Sequence, residues 1–149
     1  MNSHVAPLGA LELLRRYQDA MLAFDADALA DLYAADATHV FPFMAPGHPP
    51  CYQDRESLRE GYRRLWAGRQ VELSDLRDVA RHHDDATGTV ISEWNARATT
   101  RAGTTFQLAG VLAITARDGR IAHVRDYMDA LGVAVATNRL EALTASLAS

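Results

Sequence analysis

From Thr89 to Met128 the sequence consists of long alternating runs broken by two tight turns. "GTVISEWNARATTR" and "TTFQLAGVLAITA" carry β-branched and aromatic residues at period two and meet around Ala102–Gly103. Arg117, Asp118 and Gly119 then turn the chain into "RIAHVRDYMD". Runs joined this closely pair with their sequence neighbours, so an antiparallel meander is the expected architecture. "VELSDLRDVARHHDDAT" supplies one more strand and turn in front of them.

The first half follows a different period. From Leu8 to Phe24, apolar residues at Leu11, Leu14, Tyr17 or Gln18, Met21 and Leu22 keep helical spacing. Asp25 stands where an N-cap belongs and Asp27 where the helix dipole favours an anion, opening a second helix through Leu29, Leu32 and Tyr33 to about Ala35. "DATHVFPF" predicts a short strand broken by Pro42, and the proline-rich "MAPGHPPCYQ" a loop. A third helix is expected from Asp54 to Ala67, with Leu58, Tyr62, Leu65 and Trp66 on one stripe and Gly68 as its cap. Helices followed by a meander define an α+β domain with the helices on one sheet face. That domain is expected over residues 8–130; the alanine-rich tail, 131–149, is compatible with helix.

At 149 residues, 48% hydrophobic and 23% charged, the chain has the size and balance of one domain. A net charge of −4 leaves no basic footprint, so nucleic acid is not an expected partner. The single cysteine, Cys51, excludes an internal disulfide and suits a reducing compartment. The N-terminus has no positively charged lead into an apolar run, and no window has the roughly 18 apolar residues of a membrane span. A cytoplasmic protein without a membrane partner is expected.

In the last run, period two puts Val124, Asp126 and Met128 on the more apolar face. Asp126 is then a carboxylate in an apolar interior, a setting suited to a general base or acid. His39 lies two residues before Phe41, on the same strand face, where it serves either as proton shuttle or as core histidine. Trp94 shares its face with Ser92, Ala96 and Ala98, which suits the wall of a pocket for a planar ligand. Tyr62 and Trp66 can close such a pocket from the third helix.

Phe106, Leu108, Leu112 and Ile114 make one face of their strand strongly apolar, and the other face is hardly polar. An outer face of that kind needs a cover, as in a homodimer. His82, His83, Asp84 and Asp85 sit side by side at a turn and point apart, so they are expected to be solvated rather than to bind metal. No glycine-rich phosphate loop or nucleotide fingerprint is present, and no cofactor is expected.

The order of elements, with "RRYQDAMLAFDADALADLYAADATHVF" at the front and "GRIAHVRDYMD" at the end, resembles the nuclear transport factor two superfamily. The resemblance spans about residues 8 to 130 and is nearest to the ketosteroid isomerases and the SnoaL-like polyketide cyclases. It implies a curved sheet wrapped around a conical apolar pocket, with dimers formed through the outer sheet face. It places Asp126 on a pocket-lining position, where the cyclases carry the base that deprotonates an activated carbon. Tyr17 matches the isomerase tyrosine that donates to the substrate oxygen. Phe41 and Val111 take the places of the isomerase base and of its second oxyanion-hole acid, as lining residues without charge. Gln107 turns inward only if the register of its strand matches that of the family the chain resembles.

Without those acids the steroid-type proton shuttle is excluded. What remains implied is cofactor-independent cyclisation, isomerisation or dehydration of a hydrophobic natural-product intermediate, of polyketide type. Asp126 would be the base or acid, Tyr17 would hold an oxygen and His39 would assist, while Trp94 and Met128 shape the cavity. A pocket can also promote cyclisation by holding a reactive conformer alone. The alternative from another class is a non-catalytic ligand-binding or adaptor domain. Epoxide hydrolysis needs a second carboxylate and an arginine in the pocket, and the sequence places only Asp126 there.

Overall fold

The computed structural model describes residues 6–148. Helices α1 (Ala10–Ala23) and α2 (Ala26–Asp31) lead into strands β1 (Tyr33–Val40) and β2 (Cys51–Tyr52). Helix α3 (Arg55–Ala67) follows, then β3 (Val71–Asp84), β4 (Thr89–Thr100), β5 (Thr105–Arg117) and β6 (Arg120–Met128). The tail forms two helices, α4 (Ala130–Ala136) and α5 (Leu140–Leu147). The six strands make one curved sheet in the order β2-β1-β6-β5-β4-β3, with the N-terminal helices against one face. Strands β3 to β6 are the expected antiparallel meander. Among the described residues the one parallel pairing joins β1 to β6, the two strands that the rest of the chain separates.

Local chemistry sets the boundaries. The Asp25 side chain caps α2 by accepting from the Ala28 N–H at 2.9 Å. Asp54 and Ser57 close a capping box at the start of α3. One boundary and one buried stripe differ from expectation. Helix α2 ends at Asp31, because the Leu32 carbonyl accepts from Ile121 N–H and Tyr33 pairs with Ile121 in the sheet. That pairing outweighs the helix propensity of the alanines that follow. On α1 the buried stripe is Ala10, Leu13, Leu14, Tyr17 and Ala20, while Leu11 is exposed. The small alanines let the helix settle closely on the sheet.

Cross-strand partners define rows of side chains on the inner face. One row runs Ser92, Leu112, Asp126, and the next runs Asp78, Trp94, Gly110, Met128. The core lies between this face and α1–α3. At the far end, Ala96, Ala98 and Leu108 form a smaller cluster, which Val133 of α4 covers. Asp129 holds α4 there by accepting from Gly132 N–H at 2.8 Å. Helix α5 packs on α4 alone. Among the described residues no helix is long and apolar enough to cross a membrane.

Candidate active site

Strand β6 turns Val124 and Asp126 fully inward, with Asp126 only 4% exposed, and leaves Met128 half-buried at its end. Strand β1 contributes Tyr33, Ala37 and His39 from its buried face, and Phe41 follows in the same phase. Tyr33, His39 and Asp126 meet in a line. The Tyr33 hydroxyl lies 2.8 Å from His39 Nδ1, and His39 Nε2 lies 3.5 Å from Asp126 Oδ2. Tyr33 donating to Nδ1 leaves the ring proton on Nε2, facing the carboxylate. At 3.5 Å that contact is electrostatic and too long for a full hydrogen bond.

Aromatic rings wall the line in. Phe41 lies 4.5 Å from the imidazole, with Tyr62 at 6.0 Å, Tyr33 at 6.1 Å and Tyr52 at 6.4 Å. Helix α1 brings Tyr17 into the same space, and Trp66 backs Tyr62 at 4.8 Å. Burial pushes the Tyr17, Tyr33 and Tyr62 phenols well above their ordinary range, and the charge of Asp126 adds to the effect. All three therefore stay protonated and act as donors. His39 Nε2 and Asp126 Oδ1 are buried without a hydrogen-bond partner, and Tyr17 Oη lies beside the Tyr33 and Tyr62 phenols without a hydrogen bond of standard geometry. Native interiors pair the great majority of such atoms. These atoms come from α1, β1 and β6 and lie in one part of the interior.

Two expected lining residues are elsewhere. Gln107 is exposed and Val111 only half-buried, both on the outer face, because the bulkier Leu108, Leu112 and Ile114 of β5 take the interior. The neighbour of Asp126 across the strands is Leu112. Trp94 does face inward, its indole over Gly110, where an added Cβ would meet ring atoms at 2.6 Å. His82 and His83 are exposed at the end of β3, and among the described residues no group of three potential ligands could hold a metal.

Ser92 is buried on the face expected for it beside Trp94, whereas the place of Tyr33 and the pairing of Asp78 with Ser92 and Gln18 have no counterpart in the sequence expectations. A strand β1 begun at Tyr33 would, at period two, align Tyr33, Ala37, His39 and Phe41 on one face. Asp78 is hidden by two register shifts in β3, beside Asp75 at φ 56°, which reset the alternation.

A SnoaL-like domain matches residues 14–124 of this chain. The chain belongs to the SnoaL-like family. Of the family's relatives, the uncharacterised protein YesE of Bacillus subtilis is 26% identical over 125 residues, 83% of this chain and 84% of that one. A solved Bacillus subtilis structure, provisionally named an isomerase, superposes with a TM-score of 0.78 at 25% identity, covering 87% of this chain and 93% of that one. A Xanthomonas campestris protein provisionally named a polyketide cyclase shares the fold, with a TM-score of 0.61 at 24% identity over 79% of this chain and 88% of that one.

Proposed function

We propose that this SnoaL-like protein is a cofactor-independent cyclase or isomerase that moves a proton on a hydrophobic, polyketide-type intermediate in the cytoplasm. The observation that carries the reading is the buried Oδ1 of Asp126, which no group of the surrounding core satisfies. A carboxylate oxygen with no donor of its own is free to take a proton from carbon. Its other oxygen faces His39, which Tyr33 orients, so the charge produced or consumed at Asp126 has a polarisable neighbour. In this reading Tyr17, which stays protonated and makes no hydrogen bond of standard geometry, donates to the carbonyl oxygen that becomes an enolate. Leu112, Trp94 and Met128 form the apolar floor beneath the substrate. The names of the structural neighbours, an isomerase and a polyketide cyclase, agree with proton transfer next to a carbonyl. We extend the proposal to a homodimer formed through the outer sheet face.

The test needs no natural substrate. Cyclic ketones and enones, the 1-tetralones among them, are incubated with the protein in D2O, and loss of the α-proton is followed by NMR. Wild type is expected to accelerate exchange of at least one ketone, and Asp126→Asn to lower that rate by about 10²–10⁴-fold. A variant as fast as wild type would remove Asp126 from the chemistry.

A further inference from the structure

Asp126 is enclosed in this structure: it is 4% exposed, Tyr33 1% and His39 0%. A ketone can reach such a carboxylate only if part of the wall moves. Segments with few buried contacts open most readily, so an entrance forms where the wall is held least. Around His39 the wall consists of the Tyr33, Phe41, Tyr52 and Tyr62 rings. Tyr33, Phe41 and Tyr62 are buried, whereas Tyr52 is partly exposed and forms the outermost layer.

Tyr52 belongs to the weakest part of the sheet. Strand β2 is two residues long and lies at the sheet edge, where Tyr52 pairs with His39 and Cys51 with Val40. The chain reaches it through Phe41 to Pro50, a stretch outside the helices and strands. The ends of that stretch meet where Phe41 N–H donates to the Pro50 carbonyl at 2.9 Å. Pro42, Pro46, Pro49 and Pro50 have no N–H with which to fasten it further.

Helix α3 makes room for the ring. A Cβ on Gly61 would overlap Cε1, Cζ and Oη of Tyr52, so the phenol lies in a slot that only glycine leaves open. Glycine inside a helix costs stability relative to alanine, and α3 bears that cost in the turn facing this ring. From the slot the ring packs at 5.9 Å on Phe41, 6.0 Å on Tyr62 and 6.4 Å on His39. Rotation of this one side chain releases those contacts and leaves the helices and the other strands in place.

We propose that Tyr52 is the gate of the Asp126 site: its ring leaves the Gly61 slot toward solvent and opens a passage between β1 and α3 that ends at His39. The departing phenol leaves a ring-sized opening between Phe41 and Tyr62, which suits a flat, conjugated ketone. The gate rests on the proton-transfer reading for its purpose, since that reading supplies the ligand that must enter.

The test uses diethyl pyrocarbonate, which modifies the neutral imidazoles it can reach, with each histidine followed by peptide mass mapping. His82 and His83 are exposed and mark the full rate of the reagent. His123, partly buried on the outer side of β6, reports any general loosening of the fold. Tyr52→Ala removes the gate, and Gly61→Ala displaces it with a methyl group in the slot. Each is expected to raise the rate at His39 about tenfold or more and to leave His123 unchanged. Gly61→Ala also gives α3 a better helix former, so it decides the matter if Tyr52→Ala does not fold. Tyr52→Phe keeps the ring and should leave His39 as protected as in wild type. His39 equally protected in wild type, Tyr52→Ala and Gly61→Ala would overturn the gate, as would a rise at His123 that matches the rise at His39. The reagent reports entry alone, and ketone exchange is measured separately. An opened gate without any α-proton exchange would fault the proton-transfer reading and leave the entrance standing.

Discussion

Tyr17 shows what single residues contribute here and what they cost. Its ring completes the core stripe of α1, yet its buried hydroxyl has only the Tyr33 and Tyr62 phenols beside it and makes no hydrogen bond of standard geometry. An unsatisfied buried polar group costs about 1–3 kcal/mol, and Phe would fill the same volume without it. Tyr17→Phe is therefore expected to be as stable as wild type or up to about 1 kcal/mol more so, measured by chemical denaturation. The same change should slow α-proton exchange about 10²–10³-fold, the usual cost of losing one oxyanion donor. A variant destabilised by more than about 1 kcal/mol would show that the hydroxyl has a structural partner, and the donor role would fall. Asp126 was legible in the sequence because a lone acid at the apolar phase of a regular strand stands out against Val124 and Met128 on either side. Tyr33 was not, since "LADLYAAD" favours helix locally and only the distant Ile121 draws it into the sheet.

Among the elements, the strand order and the helix caps were legible, because turns at Gly103 and Gly119 and caps at Asp25 and Asp54 are written in local chemistry. The bulges of β3 and the choice of inner face on β5 were not, because both follow from packing between elements. Gly110 illustrates that packing. It interrupts the inward side chains of β5 and lets Trp94 of β4 lie across the gap toward Met128. A Cβ there would also meet the Tyr127 carbonyl at 2.8 Å, and backbone cannot yield as a side chain can. Gly110→Ala is expected to cost about 1–3 kcal/mol by overpacking and to change the near-ultraviolet circular dichroism of the tryptophans. Ala109→Ser, one residue away on the exposed face, should stay within about 0.5 kcal/mol of wild type. If the two variants were equally stable, Trp94 would have free room to move and the floor of the site would not be fixed.

For the molecule as a whole, the outer face of the sheet bears on assembly. Its central rows pair Ile91 with Ala113 and Val111 with Tyr127, and Phe43 stacks edge-on against Tyr127 while 72% exposed. Ala113 is buried among its neighbours, whereas Ile91, Val111 and Tyr127 remain half open. Glu93, Arg97 and Arg125 surround these apolar residues. An apolar centre with a charged rim is the usual anatomy of a protein interface, and a stable one needs about 800 Å² from each partner. A two-fold axis through this face would set like patch on like patch. Light scattering at micromolar concentration is expected to give twice the chain mass for wild type. Val111→Arg, which places a charge at the centre of each half, should give the single-chain mass with unchanged far-ultraviolet circular dichroism. Because Asp126 lies on the opposite face of the sheet, the monomer should keep its ketone exchange. A wild type that scatters as a monomer would end the dimer proposal and leave the outer face as an exposed apolar patch with no partner of its own kind.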